Sequence, residues 1–121
     1  MRTQSRPEFM SLADGAQVMA YLKQAGEEKN IPLPDLIVLD LHLPLKDGRS
    51  VLAELKADSQ LKMIPILIFS TSRSRQDVDE CYRLGANCYV RKPGNLTDYF
   101  AAIRAIDEFW LAYASLPGEH L

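Results

Sequence analysis

Asp40, Ser70 and Lys92 differ in charge and chemistry, yet each closes a short, mainly apolar run, at residues 36–39, 64–69 and 89–91. A carboxylate, a hydroxyl and an ammonium at the ends of three strands suit phosphoryl transfer. The carboxylate can act as a nucleophile that splits one transfer into two through an acyl phosphate. The transition state is loose and spreads charge over the equatorial oxygens, so the protein has mainly to position and neutralise the group. Lys92 would neutralise one oxygen and Ser70 would donate a hydrogen bond to another. Singly, each residue has a plainer reading: a turn or cap aspartate, a loop serine in Ser70-Thr71-Ser72, a solvated lysine. The three together at successive strand ends favour the phosphoryl-acceptor reading. An aspartate-nucleophile hydrolase would want a second carboxylate two residues after Asp40 as general acid, and His42 stands there.

These residues need elements to hold them. Asp14 with Gln17 forms a capping box for a helix over about 15–25, with Val18, Met19, Leu22 and Ala25 as its apolar face. Residues 35–41 read as a buried strand, continuously apolar rather than alternating and bounded by Pro34 and Pro44. Gly48 follows Asp47 in a turn, and Val51, Leu52 and Leu55 recur at helical spacing. Pro65 opens a second strand over 66–69. Ser74 with Asp77 starts another helix, with Val78, Cys81 and Tyr82 inward and Gly85 as its stop. A third strand over 88–91 ends at Lys92-Pro93. Asn95 caps a long last helix in which Tyr99, Ile103, Ile106 and Trp110 share one stripe. Strands apolar on both faces and alternating with helices predict an α/β fold, an open, doubly wound parallel sheet whose ligands sit beyond the carboxyl ends of the strands.

Composition narrows the partners. The chain has 121 residues, enough for one core, with 14 Lys plus Arg against 16 Asp plus Glu and a net charge of -2. Without a basic block, nucleic acid is not an expected partner. No apolar run approaches the roughly 20 residues of a membrane span, and no signal-peptide pattern opens the chain, so a cytoplasmic location is expected. Cys81 and Cys88 lack metal-ligand spacing and read as reduced, buried thiols.

The sequence Asp40-Leu41-His42-Leu43-Pro44 with Asp47-Gly48, Ile64-Pro65 and the run closing on Ser70, Leu84-Gly85-Ala86-Asn87, Tyr89 and Lys92-Pro93 resembles the receiver domains of two-component response regulators. The resemblance covers about residues 12 to 115. Within that family the chain looks most like the single-domain regulators that partner bacterial phytochromes, with which it shares Ser72-Arg73 and the long closing helix through Trp110. It implies a flavodoxin-like sheet and a phosphoryl group accepted on Asp40 from a sensor histidine kinase, without an enzymatic output of the chain's own. Ser70 would be the hydroxyl that reorients, Tyr89 the aromatic switch, and Lys92 the family's lysine, with a Lys92-Pro93 bond that is often cis. The His42 carbonyl would join Asp40 as a magnesium ligand. Phe100, Phe109 and Tyr113 fall partly outside the core stripe and, with Trp110, suggest an apolar face covered by a second copy in a homodimer or by the kinase, the alternative being that residues 114 to 121 fold back over it.

Family members begin with a strand ending in two adjacent acidic residues, followed by a first helix. This chain is expected to lack both, so residues 1–11 read as a tail or remnant of the family's second strand and 12–121 as the receiver. Magnesium would then bind weakly or not at all, with Glu8 and Asp14 the nearest earlier carboxylates. Three ways of filling the gap stay open: the segment near Phe9 to Leu12 enters it, the neighbouring strands close up, or a second chain pairs there. The alternative function is a degenerate or truncated receiver serving as a phosphorylation-independent interaction module.

Overall fold

Leu36, Ile37, Val38 and Leu39 are all buried, as are Ile66 to Ser70. Side chains along a strand point alternately to opposite faces, so such runs demand cover on both sides. A computed structural model describes residues 9–11, 15–27, 33–42 and 47–117. Its order is β1 (Phe9–Ser11), α1 (Gly15–Glu27), β2 (Leu36–Leu39), α2 (Gly48–Ala57), β3 (Ile66–Ser70), α3 (Arg75–Arg83), β4 (Cys88–Arg91) and α4 (Leu96–Ile106), which continues into a π-helical segment, Asp107–Tyr113.

The sheet is parallel throughout, in the order β1-β2-β3-β4. Among the described residues the segment near Phe9 lies directly beside β2, with Phe9 paired to Leu36 and Ser11 to Val38. Right-handed crossovers between strands in sequential order put their helices on one face. Accordingly Met19 and Leu22 of α1, Val51, Leu52 and Leu55 of α2, and Cys81 of α3 share one cluster with Ile37, Leu39, Ile66 and Ile68. The other face carries Leu36, Val38, Leu67 and Phe69, and the buried cover there comes from Ile106, Leu111 and Leu116. Helices thus lie on both faces, three against one side and the last against the other.

Local signals fix the helix ends. Asp47 caps α2 by accepting from the Arg49 N–H, Ser74 caps α3 by accepting from Asp77, and Asn95 caps α4 by accepting from Asp98. Gly85 ends α3 at φ 109°, a left-handed conformation that costs other residues strain. The expected caps and strands therefore stand where the sequence puts them, except that Asp14 and Pro44 lie outside the described residues.

The last helix departs from its expected period. Ile106 and Leu111 are buried five residues apart, Leu116 is buried beyond the segment's end at Tyr113, and the Ala114 N–H donates to the Phe109 carbonyl at 2.8 Å. A hydrogen bond that reaches back five residues is that of a π turn. Tyr99, Ile103 and Trp110 remain half-buried against the second cluster. The wider turn passes the innermost place to Leu111 and leaves Phe109 and Tyr113 57% and 74% exposed. No helix among the described residues is long and apolar enough to cross a membrane.

Candidate functional site

β2, β3 and β4 deliver Asp40, Ser70 and Lys92 to the same end of the sheet because they run parallel in near-level register. Lys92 Nζ reaches Asp40 Oδ2 at 2.5 Å, an ion pair with both side chains about three-quarters covered. The Lys92 ammonium also lies 5.6 Å from the centre of the Phe69 ring. Ser70 is fully buried; its carbonyl accepts the Lys92 N–H at 2.8 Å, which sets the lysine beside it. Ser70 Oγ accepts from the Ser72 N–H at 3.2 Å, so its own proton stays available to donate. The His42 N–H donates to Asp40 Oδ1 at 3.0 Å, while the His42 residue as a whole is exposed.

Partial burial pushes the Asp40 carboxyl up. The Lys92 hydrogen bond, the His42 N–H and the charges of Lys92 and His42 outweigh it and hold Asp40 below the ordinary aspartate range. The group is therefore an anion at neutral pH, held beside a cation. That is the state in which a carboxylate can attack phosphorus.

Tyr89 is half-buried against the first cluster, and its hydroxyl donates to the Ser72 carbonyl at 3.0 Å. Among the described residues there are no cis peptide bonds, so the Lys92–Pro93 bond is trans and the expectation of a cis bond is corrected. Trans is the lower-energy isomer of an X-Pro bond by about 0.5–1 kcal/mol.

Gly48 and Ser72 belong to stretches that carry the resemblance, but their roles, and Arg49 altogether, went unread in the sequence. An ideal Cβ on Gly48 would stand 2.2 Å from the Asp40 carbonyl oxygen, so only glycine lets the start of α2 approach the acceptor loop; the Gly48 N–H donates to the Leu41 carbonyl at 3.0 Å. Arg49 bridges α2 to α3 through Asp77, at 2.5 Å, and Glu80. Ser72 Oγ donates to the other Asp77 oxygen at 2.5 Å. The Asp47-Gly48 pair was a visible signal for the first, Ser72-Arg73 for the last, and the charge of Arg49 signalled nothing local.

A divalent cation such as magnesium needs several oxygen ligands in near-octahedral array. Among the described residues there is no group of three or more His, Cys, Asp or Glu side chains placed to hold a metal, and both Asp40 oxygens are engaged. Glu8 and Asp14 lie outside the described residues.

Residues 2–104 match the family described as the response regulator receiver domain. The chain belongs to that family. This receiver is 48% identical over 110 residues to the response regulator Rcp1 of Synechocystis sp., covering 91% of this chain and 75% of that protein. Among solved structures it resembles the phosphorylated cyanobacterial phytochrome response regulator RcpA, at 50% identity and a TM-score of 0.83, covering 90% of this chain and 78% of that one. It likewise resembles the Mn(2+)-bound form of Rcp1, at 46% identity and a TM-score of 0.84, covering 97% of this chain and 85% of that one. The receiver therefore takes its place in two-component signalling, among relatives that are phytochrome response regulators.

Proposed function

We propose that this receiver accepts a phosphoryl group on Asp40 from a histidine kinase, a phytochrome being the favoured donor. The observation that carries the reading is the 2.5 Å pair between Asp40 and Lys92 at the carboxyl end of the sheet. Asp40 forms the new O–P bond as the N–P bond to the donor imidazole breaks, and the imidazole leaves with the electron pair. Lys92 moves its charge onto a phosphoryl oxygen, and the Ser70 hydroxyl donates to another. Tyr89, hydrogen-bonded to the loop after Ser70, would register the loop's change of position. Likeness to a phosphorylated relative supports the acceptor role. Likeness to a Mn(2+)-bound relative supports a metal role for Asp40 and the His42 carbonyl, with weak binding expected from the single carboxylate described there. The metal, when bound, would add charge neutralisation at the phosphoryl oxygens.

The last helix offers the partner face. Phe100, Phe109 and Tyr113 are exposed beside half-buried Trp110, and a second copy of the chain is the proposed occupant. The exposed aromatic face favours a second reading, an interaction module that keeps this face and works without phosphorylation.

The two readings separate in one experiment. The protein is treated with acetyl phosphate and magnesium and its intact mass is measured. A gain of one phosphoryl group that is stable to acid, labile to alkali and lost in Asp40→Asn supports acceptance. No gain in the wild type rules it out in favour of the interaction module.

A further inference from the structure

The loop that carries the Ser70 hydroxyl is tied by four hydrogen bonds, and all four involve Ser72. The Ser72 carbonyl accepts from the Tyr89 hydroxyl, and Ser72 Oγ donates to Asp77. The Ser72 N–H reaches back to Ser70 Oγ, and the Ser74 N–H donates to Ser72 Oγ at 3.3 Å. Asp77 is itself held by Arg49, whose guanidinium also contacts Glu80 and lies 3.6 Å from Asp47. Arg49 sits in the first turn of α2, directly after the Gly48 that abuts the Asp40 backbone.

We infer that Arg49 is a positioning residue that couples the two loops of the site, holding the Ser70 loop in register with the acceptor loop through Asp77 and Ser72. The chain of contacts is continuous. The Asp40 and Leu41 carbonyls set Gly48, α2 sets Arg49, Arg49 sets the Asp77 carboxylate, and Asp77 sets Ser72, one peptide beyond Thr71 and two residues from the Ser70 hydroxyl. The Arg49 side chain is only 25% exposed and Asp77 24%, so these charges are less screened than those of a freely solvated surface pair. Guanidinium suits the role because its planar fork can meet several carboxylates at once, which an ammonium cannot do in fixed geometry. The hydrogen bond from Ser72 is the leading influence holding the Asp77 carboxyl below the ordinary range, ahead of Arg49. Either loop displaced alone would break a charge-assisted contact.

The inference rests on Asp40 being the acceptor, and its test has one arm that does not. In the unphosphorylated protein, amide exchange is followed at Ser72, Ser74 and, as a control, Ile68. Arg49→Gln is expected to speed exchange at Ser72 and Ser74 and leave Ile68 unchanged. Unchanged exchange at both serines overturns the coupling whatever the chemistry. In the second arm, acetyl phosphate capture is timed for Arg49→Gln, Ser72→Ala and the double variant. Each single is expected to slow capture about tenfold, within the range for a site misplaced by a fraction of an ångström. The double should be no slower than the worse single, because both act through one chain of contacts. Multiplying effects overturn the inference. Wild type that captures no phosphoryl group rejects the acceptor reading alone, and the exchange arm then decides the coupling. Asp77→Asn, which keeps a hydrogen-bonding shape while removing the charge, should reproduce the exchange result if Arg49→Gln unfolds.

Discussion

Replacing Gly48 by alanine tests whether the acceptor loop is set by the start of α2. The added Cβ would stand 2.2 Å from the Asp40 carbonyl oxygen, 2.8 Å from Leu41 Cα and 3.0 Å from the Leu41 carbonyl oxygen. Even the closest favourable carbon–oxygen contacts lie near about 3.3 Å, so the Asp40 carbonyl must retreat by about 1 Å. All three obstacles are backbone atoms, so no side-chain rotation relieves them. Overpacking of this kind costs about 1–3 kcal/mol, against a gain of at most about 1 kcal/mol from replacing glycine in a helix. A net loss of about 1–2 kcal/mol lowers the melting temperature of a domain this size by about 4–8 °C. The functional effect is larger, because a displacement near 1 Å at a reacting group costs about 10²-fold in rate. Thermal unfolding and the rate of acetyl phosphate capture are measured on the same preparations. Gly94→Ala, where nothing stands within 4 Å of the new Cβ, serves as control. A Gly48→Ala protein that melts and captures phosphoryl groups as the wild type does would refute the steric argument.

Three further outcomes are expected. The Asp40 carboxyl lies below its ordinary 3.8 in the folded state, so the stability it contributes is present above 3.8 and is lost as pH falls through the folded value; urea unfolding should show Asp40→Asn gaining on the wild type only in that acid range, and parallel profiles would contradict the shift. Asn87 Oδ1 accepts from the Ile66 N–H at 2.8 Å and from Lys56 Nζ at 3.1 Å, so Asn87→Ala should cost about 1–3 kcal/mol in urea unfolding by stranding a partly buried donor. Leu111→Ala should cost about 2–5 kcal/mol, whereas Tyr113→Ala in dilute, monomeric protein should stay within about 0.5 kcal/mol. The reverse ranking in urea unfolding would mean the last segment keeps an ordinary α-helical period.

Where a feature depends on neighbours in the chain, it was readable. Asn95 and Ser74 announce their helices because each cap bonds a residue three places on, and Gly85 announces a stop because few other residues tolerate its φ. The pairing of Phe9 with Leu36 carried no such signal, since it joins segments 27 positions apart and any apolar strand presents the same backbone groups. The π segment was hidden for another reason: Trp110 and Leu111 are both apolar, so the sequence admits either period, and packing against the sheet decides. At the site, Asp40, Ser70 and Lys92 were legible because strand ends converge in any parallel sheet. Arg49 was not, because its partners Asp77 and Glu80 lie on another helix and a charge near a helix start is ordinarily solvated.

The unequal cover of the sheet has a kinetic side. Three crossover helices can settle against the first face as each strand is added, but among the described residues the second face is closed by a single segment that joins Leu111 and Leu116 to Leu36 and Val38, far earlier in the chain. That long-range closure concentrates its entropic cost in one late step. Until it occurs, Leu36, Val38, Leu67 and Phe69 form an open apolar strip. The interval before α4 docks is thus when two folding chains are most prone to stick to one another, and the docking rate of one helix sets how long it lasts.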